Sequence, residues 1–326
     1  MINQIKPRFN SPLAPVVEQF IQTKQASGYH FRAGIGILVR LDRYLCEKAL
    51  TECELPRSLV QEWGFKRPNE HPNTQQDRVS IARQLAQFMR QLGYQAYVPD
   101  RSLLSKARSD FCPRIFTHAE IQQLLRAVDQ LPPTSHAPLR HLVMPEVFRL
   151  LYGCGLRLNE ALRLRVADVD LNQGVLTLRE TKFGKDRLVP PDVSLVQRLQ
   201  RFAAQFGARA ANAYFFPTLH GGPWAGGTVY ALFRELLCQC GTSHAGRGKG
   251  PRVHDLRHTM AVHTLLRWYR EGADLDAKLP ILATYLGHQS VAGTQRYLHL
   301  TAELFPQIVV RTNAEFSEVI PRRVAS

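Results

Sequence analysis

The sequence predicts a mainly α protein with a small antiparallel β-sheet (α+β), divided into two domains. Three observations lead there. Apolar residues recur at three- and four-residue spacing along most of the chain. Two short β-like runs flank a glycine-containing turn near residue 184. Periodicity also fades across a basic, proline-containing stretch, and a chain of 326 residues suits two domains at roughly 100–200 residues each. The expected division is a helical domain over 1–97, a linker over 98–115 and a second domain over 116–326.

In the first domain, Val16, Val17, Phe20 and Ile21 mark a helix that ends before Gly28, and Leu38, Leu41 and Leu45 mark a second. Leu59, Val60 and Trp63 mark a short third. Val79, Ala82, Leu85, Phe88, Met89 and Leu92 form a fourth stripe, with Gly93 placed as its C-terminal stop. The linker carries Pro99, Arg101, Lys106, Arg108 and Arg114. The second domain opens on a capping box, Thr117 with Glu120, ahead of a helix through Leu125 and Val128. One helical segment ends near Gly153 and Gly155, and another starts near Leu158. The β-like runs are Val175–Leu178 and Arg187–Pro190, with Lys182 and Gly184 in the connection. Further helices are expected around Leu195–Phe206, Val229–Cys238, His254–Arg270, Ile281–Leu286 and after Thr301, where Leu304, Phe305, Ile308 and Val309 share a face. Arg270 to Leu279 reads as a long connection.

Composition narrows the function. Lys and Arg total 42 against 27 Asp and Glu, a formal charge of +15, and residues 1–115 alone hold 17 basic and 10 acidic side chains. Both halves are therefore basic, which suits a protein that grips a polyanion, nucleic acid foremost, from two sides. The longest apolar run, Ala33 to Val39, stops at Arg40 and falls far short of the ~18 residues of a membrane span. The N-terminus has no hydrophobic signal core, so a cytoplasmic, nucleoid-associated protein is expected. The six cysteines form no CxxC pair, which points to reduced thiols rather than a zinc ribbon or disulfide scaffold.

The segment Gly241 to Gly250 superficially resembles a phosphate loop but lacks the Lys-Ser/Thr ending of a Walker A motif, so ATP use finds no support. The densest chemistry is His254-Asp255-Leu256-Arg257-His258. On a helix the two histidines and Arg257 share a face. That face admits two uses: zinc held by His254 and His258 with Asp255 as base, or a phosphate held by the Arg257 fork and a titratable histidine. A permanent cation beside two zinc ligands weakens the first.

Further along the chain are Gly155-Leu156-Arg157 with Glu160, Lys182 ahead of Arg187-Leu188-Val189-Pro190, Leu286-Gly287-His288, and Tyr297 nine residues later. Taken in order with the His254–His258 box, they make the chain resemble the tyrosine recombinase and integrase (phage-integrase-like) family over essentially its whole length. The resemblance implies a tyrosine-recombinase catalytic domain preceded by a helical core-binding (DNA-binding) domain. By similarity Arg157, Lys182, His254, Arg257 and His288 are the activating residues and Tyr297 is the nucleophile, with no cofactor and no metal. It also implies a double-stranded DNA recombination site as substrate, a homotetramer on synapsed DNA, possible accessory recombinases, and an integrase carried by a mobile element and active in transposition. Asn159 stands where the family frequently has serine.

The residue set is chemically coherent on its own. Breaking a phosphodiester without a metal needs cations on the non-bridging oxygens, a nucleophile, and an acid for the leaving 5′-oxygen. Arg157 and Arg257 supply the first, Tyr297 the second and Lys182 the third, with His254 helping to remove the phenolic proton and His288 bonding the phosphate. A covalent 3′-phosphotyrosine keeps the bond energy for rejoining. A zinc-dependent hydrolase, a non-cleaving DNA-binding protein of the same fold and a type IB topoisomerase remain the competing readings.

Overall fold

A computed structural model of the chain describes residues 8–28, 31–100, 113–179, 186–243, 250–288, 290–295 and 297. The chain forms two compact units, Met1–Phe111 and Cys112–Ser326. Lys182 and most of its connection, residues 101–112 of the basic linker, residues 244–249 of the glycine-rich stretch, and the Leu304–Val309 stripe lie outside the described residues.

Among the described residues the first unit holds four helices: α1 (Ala14–Ala26), α2 (Arg32–Glu47), α3 (Arg57–Gly64) and α4 (Pro72–Gln91). The stripes read from the sequence face one another in a core containing Val17, Phe20, Leu38, Leu41, Leu45, Trp63, Leu85 and Met89. Two buried polar groups organise it. The Asp42 carboxylate accepts from the backbone N–H of Asn10 and Ser11 and from the Ser11 hydroxyl, which pins the segment before α1 to α2. Arg78 donates to both oxygens of Glu70 at 3.0 and 2.8 Å while its guanidinium lies 5.0 Å from the Trp63 ring. The stripe at Val79 begins about two turns late, since α4 starts at Pro72. There His71 caps the helix by accepting from the Asn73 N–H, and Pro72 takes a position that needs no donor. Val98 packs on this core.

The second unit is built around α6 (Arg140–Gly153), which packs on α5 (His118–Asp129), α8 (Val193–Ala204) and α10 (Asp255–Arg270). Both halves of the expected capping box are formed at Thr117 and Glu120. A short α7 (Leu158–Arg163) follows the Gly155 turn, and α9 (Gly226–Gln239) closes the core over Phe148, Phe216 and Phe233. The sheet is antiparallel, ordered β1 (Val169–Asp170), β2 (Val175–Leu178), β3 (Arg187–Val189), with Leu176 opposite both Val169 and Val189. β2 and β3 coincide with the two β-like runs. β1 is two residues long and leaves no alternating pattern to read.

One boundary shifts: the helix expected around Ile281–Leu286 begins earlier, since α11 spans Leu275–Leu286, takes in half of the stretch Arg270 to Leu279 and leaves four residues after α10. Asp274 caps it through the N–H groups of Asp276 and Ala277, and Pro280 sits inside the helix, where its missing N–H obscures the pattern. A second buried cluster joins α10 and α11 through Val262, Leu265, Leu279, Leu282 and Leu286, and Tyr297 belongs to it, just beyond the single turn α12 (Ala292–Gln295). Among the described residues no helix is long and apolar enough to cross a membrane.

Glu160 ties these pieces together. Its carboxylate accepts from both terminal nitrogens of Arg187 on β3, at 3.0 and 2.8 Å, and from the Arg157 backbone N–H and guanidinium at 2.8 and 2.6 Å. Burial alone would push the Glu160 carboxyl up, but the Arg187 bonds and charge, with those of Arg157, outweigh it and hold the group at about 2, against an ordinary 4.5. A carboxyl lowered by folding contributes stability above its unfolded value and loses it as pH falls through its folded value. As pH drops from about 4.5 towards 2, the chain should therefore lose about 3 kcal/mol that a Glu160→Gln variant does not lose. At neutral pH the same variant should unfold at lower urea, with on the order of 3 kcal/mol less stability, because two arginines keep their charge and lose their partner. Urea unfolding of both proteins at pH 7 and pH 2 checks the pair of outcomes.

Candidate active site

The end of α11 is where the expected residues meet. A helix C-terminus leaves its last four carbonyls without intrahelical donors and concentrates partial negative charge there. In α11 the first two of these carbonyls, Ala283 and Thr284, accept from the His288 and Gly287 N–H groups as the chain turns at Gly287. The next three oxygens along the chain each take an arginine. Arg187 Nε donates to Tyr285 O at 3.0 Å, Arg257 Nη2 to Leu286 O, and Arg157 Nη2 to Gly287 O at 3.2 Å. Arg257 also donates to Gly155 O at 2.6 Å and is 1% exposed.

Two glycines make this convergence possible. Gly287 has φ +68°, and a Cβ there would stand 3.0 Å from the Arg187 guanidinium. Gly155 has φ +61°, and a Cβ there would stand 2.8 Å from Leu286 Cδ2. Only a residue without a side chain turns left-handed in so little room.

The imidazoles and the phenol complete the cluster. His254 occupies the N-cap position of α10 without a side-chain capping bond, and its ring meets that of His258 edge-to-face, centroids 4.7 Å apart. His258 Nδ1 lies 3.1 Å from the Tyr297 hydroxyl. His288 Nδ1 is hydrogen-bonded to Thr294 Oγ1 at 2.8 Å, and its ring centroid is 6.0 Å from that of Tyr297. Tyr297 is only 4% exposed, and its N–H donates to Thr294 O. Burial, followed by the charges of His258 and Arg257, pushes His254 down to about 4; burial, followed by Arg257 and Arg157, does the same to His288. Both are neutral at pH 7. Arg257 is pushed down to about 10 by burial and then by the Arg157 charge, so it stays a cation that a neighbouring anion would relieve.

Five of the six residues singled out from the sequence, Arg157, His254, Arg257, His288 and Tyr297, therefore come together on three helix ends and one short turn; Lys182 lies outside the described residues. The histidine that reaches the phenol is His258, which the sequence offered only as a zinc ligand; its position on the same helical face as His254 and Arg257 was the available signal. Arg187 was visible only as the first residue of the strand motif after Lys182, with no role of its own, and Thr294 carried no signal. Asp255, the would-be base of a zinc site, instead accepts from the Arg252 N–H and guanidinium, at 2.9 and 3.1 Å. Among the described residues no three His, Cys, Asp or Glu side chains converge as metal ligands.

Known proteins place this arrangement in a family. The Phage integrase family matches residues 114–303, more than half of the chain. The y4rB protein of Sinorhizobium fredii, which carries an integrase/recombinase designation, is 32% identical over 313 residues, covering 94% of this chain and 99% of its own. The tyrosine recombinase XerD of Ralstonia nicotianae is 31% identical over 210 residues, covering 63% of this chain and 62% of its own. In fold, the chain is similar to the XerH site-specific recombinase in its post-cleavage complex with palindromic difH substrate, with TM-score 0.60, 17% identity, and 84% and 77% of the two chains covered. It is similar also to the Tn1549 transposon integrase in complex with transposon right end DNA, with TM-score 0.59, 18% identity, and 93% and 99% covered. With its arginines, histidines and tyrosine gathered on the α10 and α11 ends, the chain belongs to the phage integrase family and is a tyrosine-type site-specific recombinase.

Proposed function

We propose that this recombinase cuts and rejoins double-stranded DNA at a specific site through a covalent 3′-phosphotyrosine on Tyr297, with side chains in place of a metal and without ATP. The observation that carries the reading is the burial of Tyr297 beside a cluster with three guanidinium cations and one carboxylate, a local excess of positive charge that a phosphodiester would neutralise.

Each arginine has five N–H donors. Arg257 spends two on Gly155 O and Leu286 O, and Arg157 spends two on Glu160 and Gly287 O, so both are fixed in place with donors left for the non-bridging oxygens. Neutral His254 and His288 supply hydrogen bonds to the same oxygens. Attack by the Tyr297 oxygen expels the 5′-oxygen, which takes a proton from Lys182, assigned here on its motif alone. The phosphate ester remains on the enzyme until a 5′-hydroxyl of the same or another duplex reverses the step. Tyr285 is a poor rival, because its hydroxyl donates to Pro190 O and burial pushes its phenol up.

One nucleophile per chain and four strand cleavages per exchange call for four protomers on two synapsed duplexes. The complexes named for the XerH and Tn1549 proteins support a DNA site as substrate, and the transposon integrase supports a role in a mobile element. Accessory recombinases and a nucleoid location fit the same reading.

Two outcomes test it on a nicked suicide duplex. Tyr297→Phe should bind the duplex as tightly as the wild type and lose covalent adduct by ~10³-fold or more, in a denaturing-gel assay with peptide mapping of the adduct; an adduct that survives the substitution refutes the assignment. Cleavage by the wild type should proceed at an unchanged rate in excess EDTA. A rate abolished by the chelator and restored by zinc or magnesium would instead assign the chemical step to a metal.

A further inference from the structure

We infer that His258, through Nδ1, is the base that takes the phenolic proton of Tyr297 when that oxygen attacks the phosphate. The inference rests on the assignment of Tyr297 as nucleophile and adds a residue to the reaction.

A phenol ordinarily titrates near 10, so a phenolic nucleophile has to shed a proton as it attacks. A base that removes it must already lie within hydrogen-bond reach. His258 Nδ1 is 3.1 Å from the phenol oxygen, with the two rings 5.5 Å apart at 55°. His254 is arranged differently: it stands at the start of α10 without a side-chain capping bond and presents its ring to that of His258 at 87°. The other neighbouring imidazole, His288, has its Nδ1 on Thr294 Oγ1.

The turn of α10 that carries His258 is held rigidly. Arg257 on one side is clamped to two carbonyls. Thr259 on the other is fully buried, with its hydroxyl donating to Asp255 O at 2.8 Å and accepting from the Phe116 N–H at 3.1 Å. The imidazole is thus aimed by its backbone, with the phenol delivered to it by the turn after α12. Accepting at Nδ1 requires the tautomer with hydrogen on Nε2.

The step balances. The Tyr297 O–H proton passes to His258 Nδ1 as the O–P bond forms, and the P–O5′ electron pair leaves on the 5′-oxygen, which is protonated by Lys182. On rejoining, the attacking 5′-hydroxyl returns its proton to Lys182, and the departing phenolate recovers its own from the His258 imidazolium. The two protons are handled on opposite sides of the phosphorus, so the two residues are separable by experiment.

The test uses His258→Asn, whose side chain keeps a hydrogen-bonding group near the Nδ1 position and has no comparable basicity. Single-turnover cleavage is measured on a suicide duplex with a normal phosphodiester and on one with sulfur at the bridging 5′ position, a leaving group that needs no proton. His258→Asn should bind both duplexes normally and cleave each about 10²–10⁴-fold more slowly than the wild type. Lys182→Ala should be slow on the oxygen substrate only. Replacing Tyr297 by a difluorotyrosine, a more acidic phenol, should shrink the ratio of wild-type to His258→Asn rates, an effect that damaged folding would not produce. Cleavage by His258→Asn within threefold of the wild type, recovery of its rate on the sulfur substrate, or a ratio indifferent to fluorination would each overturn the inference. A wild-type adduct mapping to a residue other than Tyr297 would instead overturn the function on which it rests.

Discussion

The carboxyl end of α11 is the constraint on which the rest of this site depends. Tyr285, Leu286 and Gly287 present three oxygens in succession, and Arg187, Arg257 and Arg157, drawn from a strand, a helix and a turn far apart in sequence, each close on one of them. Partial negative charge at a helix end is the physical attractor. It holds three mutually repelling cations near one another without quenching them, since a carbonyl accepts a hydrogen bond and leaves the guanidinium charge intact. Glu160 removes one unit of the excess and fixes the relative placement of Arg157 and Arg187. What remains is a preorganised positive site whose cost was met during folding, the condition under which charge stabilisation accelerates a phosphoryl transfer.

Burial shapes the rest of the electrostatics. His254 and His288 are held neutral by desolvation and by the neighbouring arginines, so the cationic charge at neutral pH resides on groups that do not titrate there. The proposed chemistry divides the labour accordingly: arginines for charge, imidazoles for directed hydrogen bonds and proton acceptance. Tyr297 enters the apolar cluster of α10 and α11 with its ring, leaving its hydroxyl as the polar tip on His258.

Much of this was legible in the sequence because the relevant signals are local. The stripes of α1 to α4, the Thr117 capping box, β2 and β3, and the start of α10 are set by short-range periodicity and by capping chemistry, and they are found where the pattern puts them. The set Arg157, His254, Arg257, His288 and Tyr297 was visible as ordered motifs, and the structure brings its members together. What stayed hidden is long-range or masked. The pairing of β1 rests on two residues. The start of α11 was concealed by Pro280 within it, although Asp274 was present as a cap. The contact between His258 and Tyr297 joins residues 39 positions apart, and no spacing rule within one helix anticipates which of two histidines the phenol selects.

Thr294 gives the short turn before Tyr297 a further meaning. Its hydroxyl holds the His288 ring and its carbonyl accepts the Tyr297 N–H, so one fully buried residue is bonded to both. Tyr297 and the imidazole beside it are therefore mechanically geared: a displacement of this turn that withdraws the tyrosine also drags the histidine out of register. Such gearing makes the site fail as a whole. On the proposed chemistry, a protomer with its turn out of place would lose a phosphate partner together with its nucleophile, and so would not be left holding a half-competent pocket in which water could attack a bound strand.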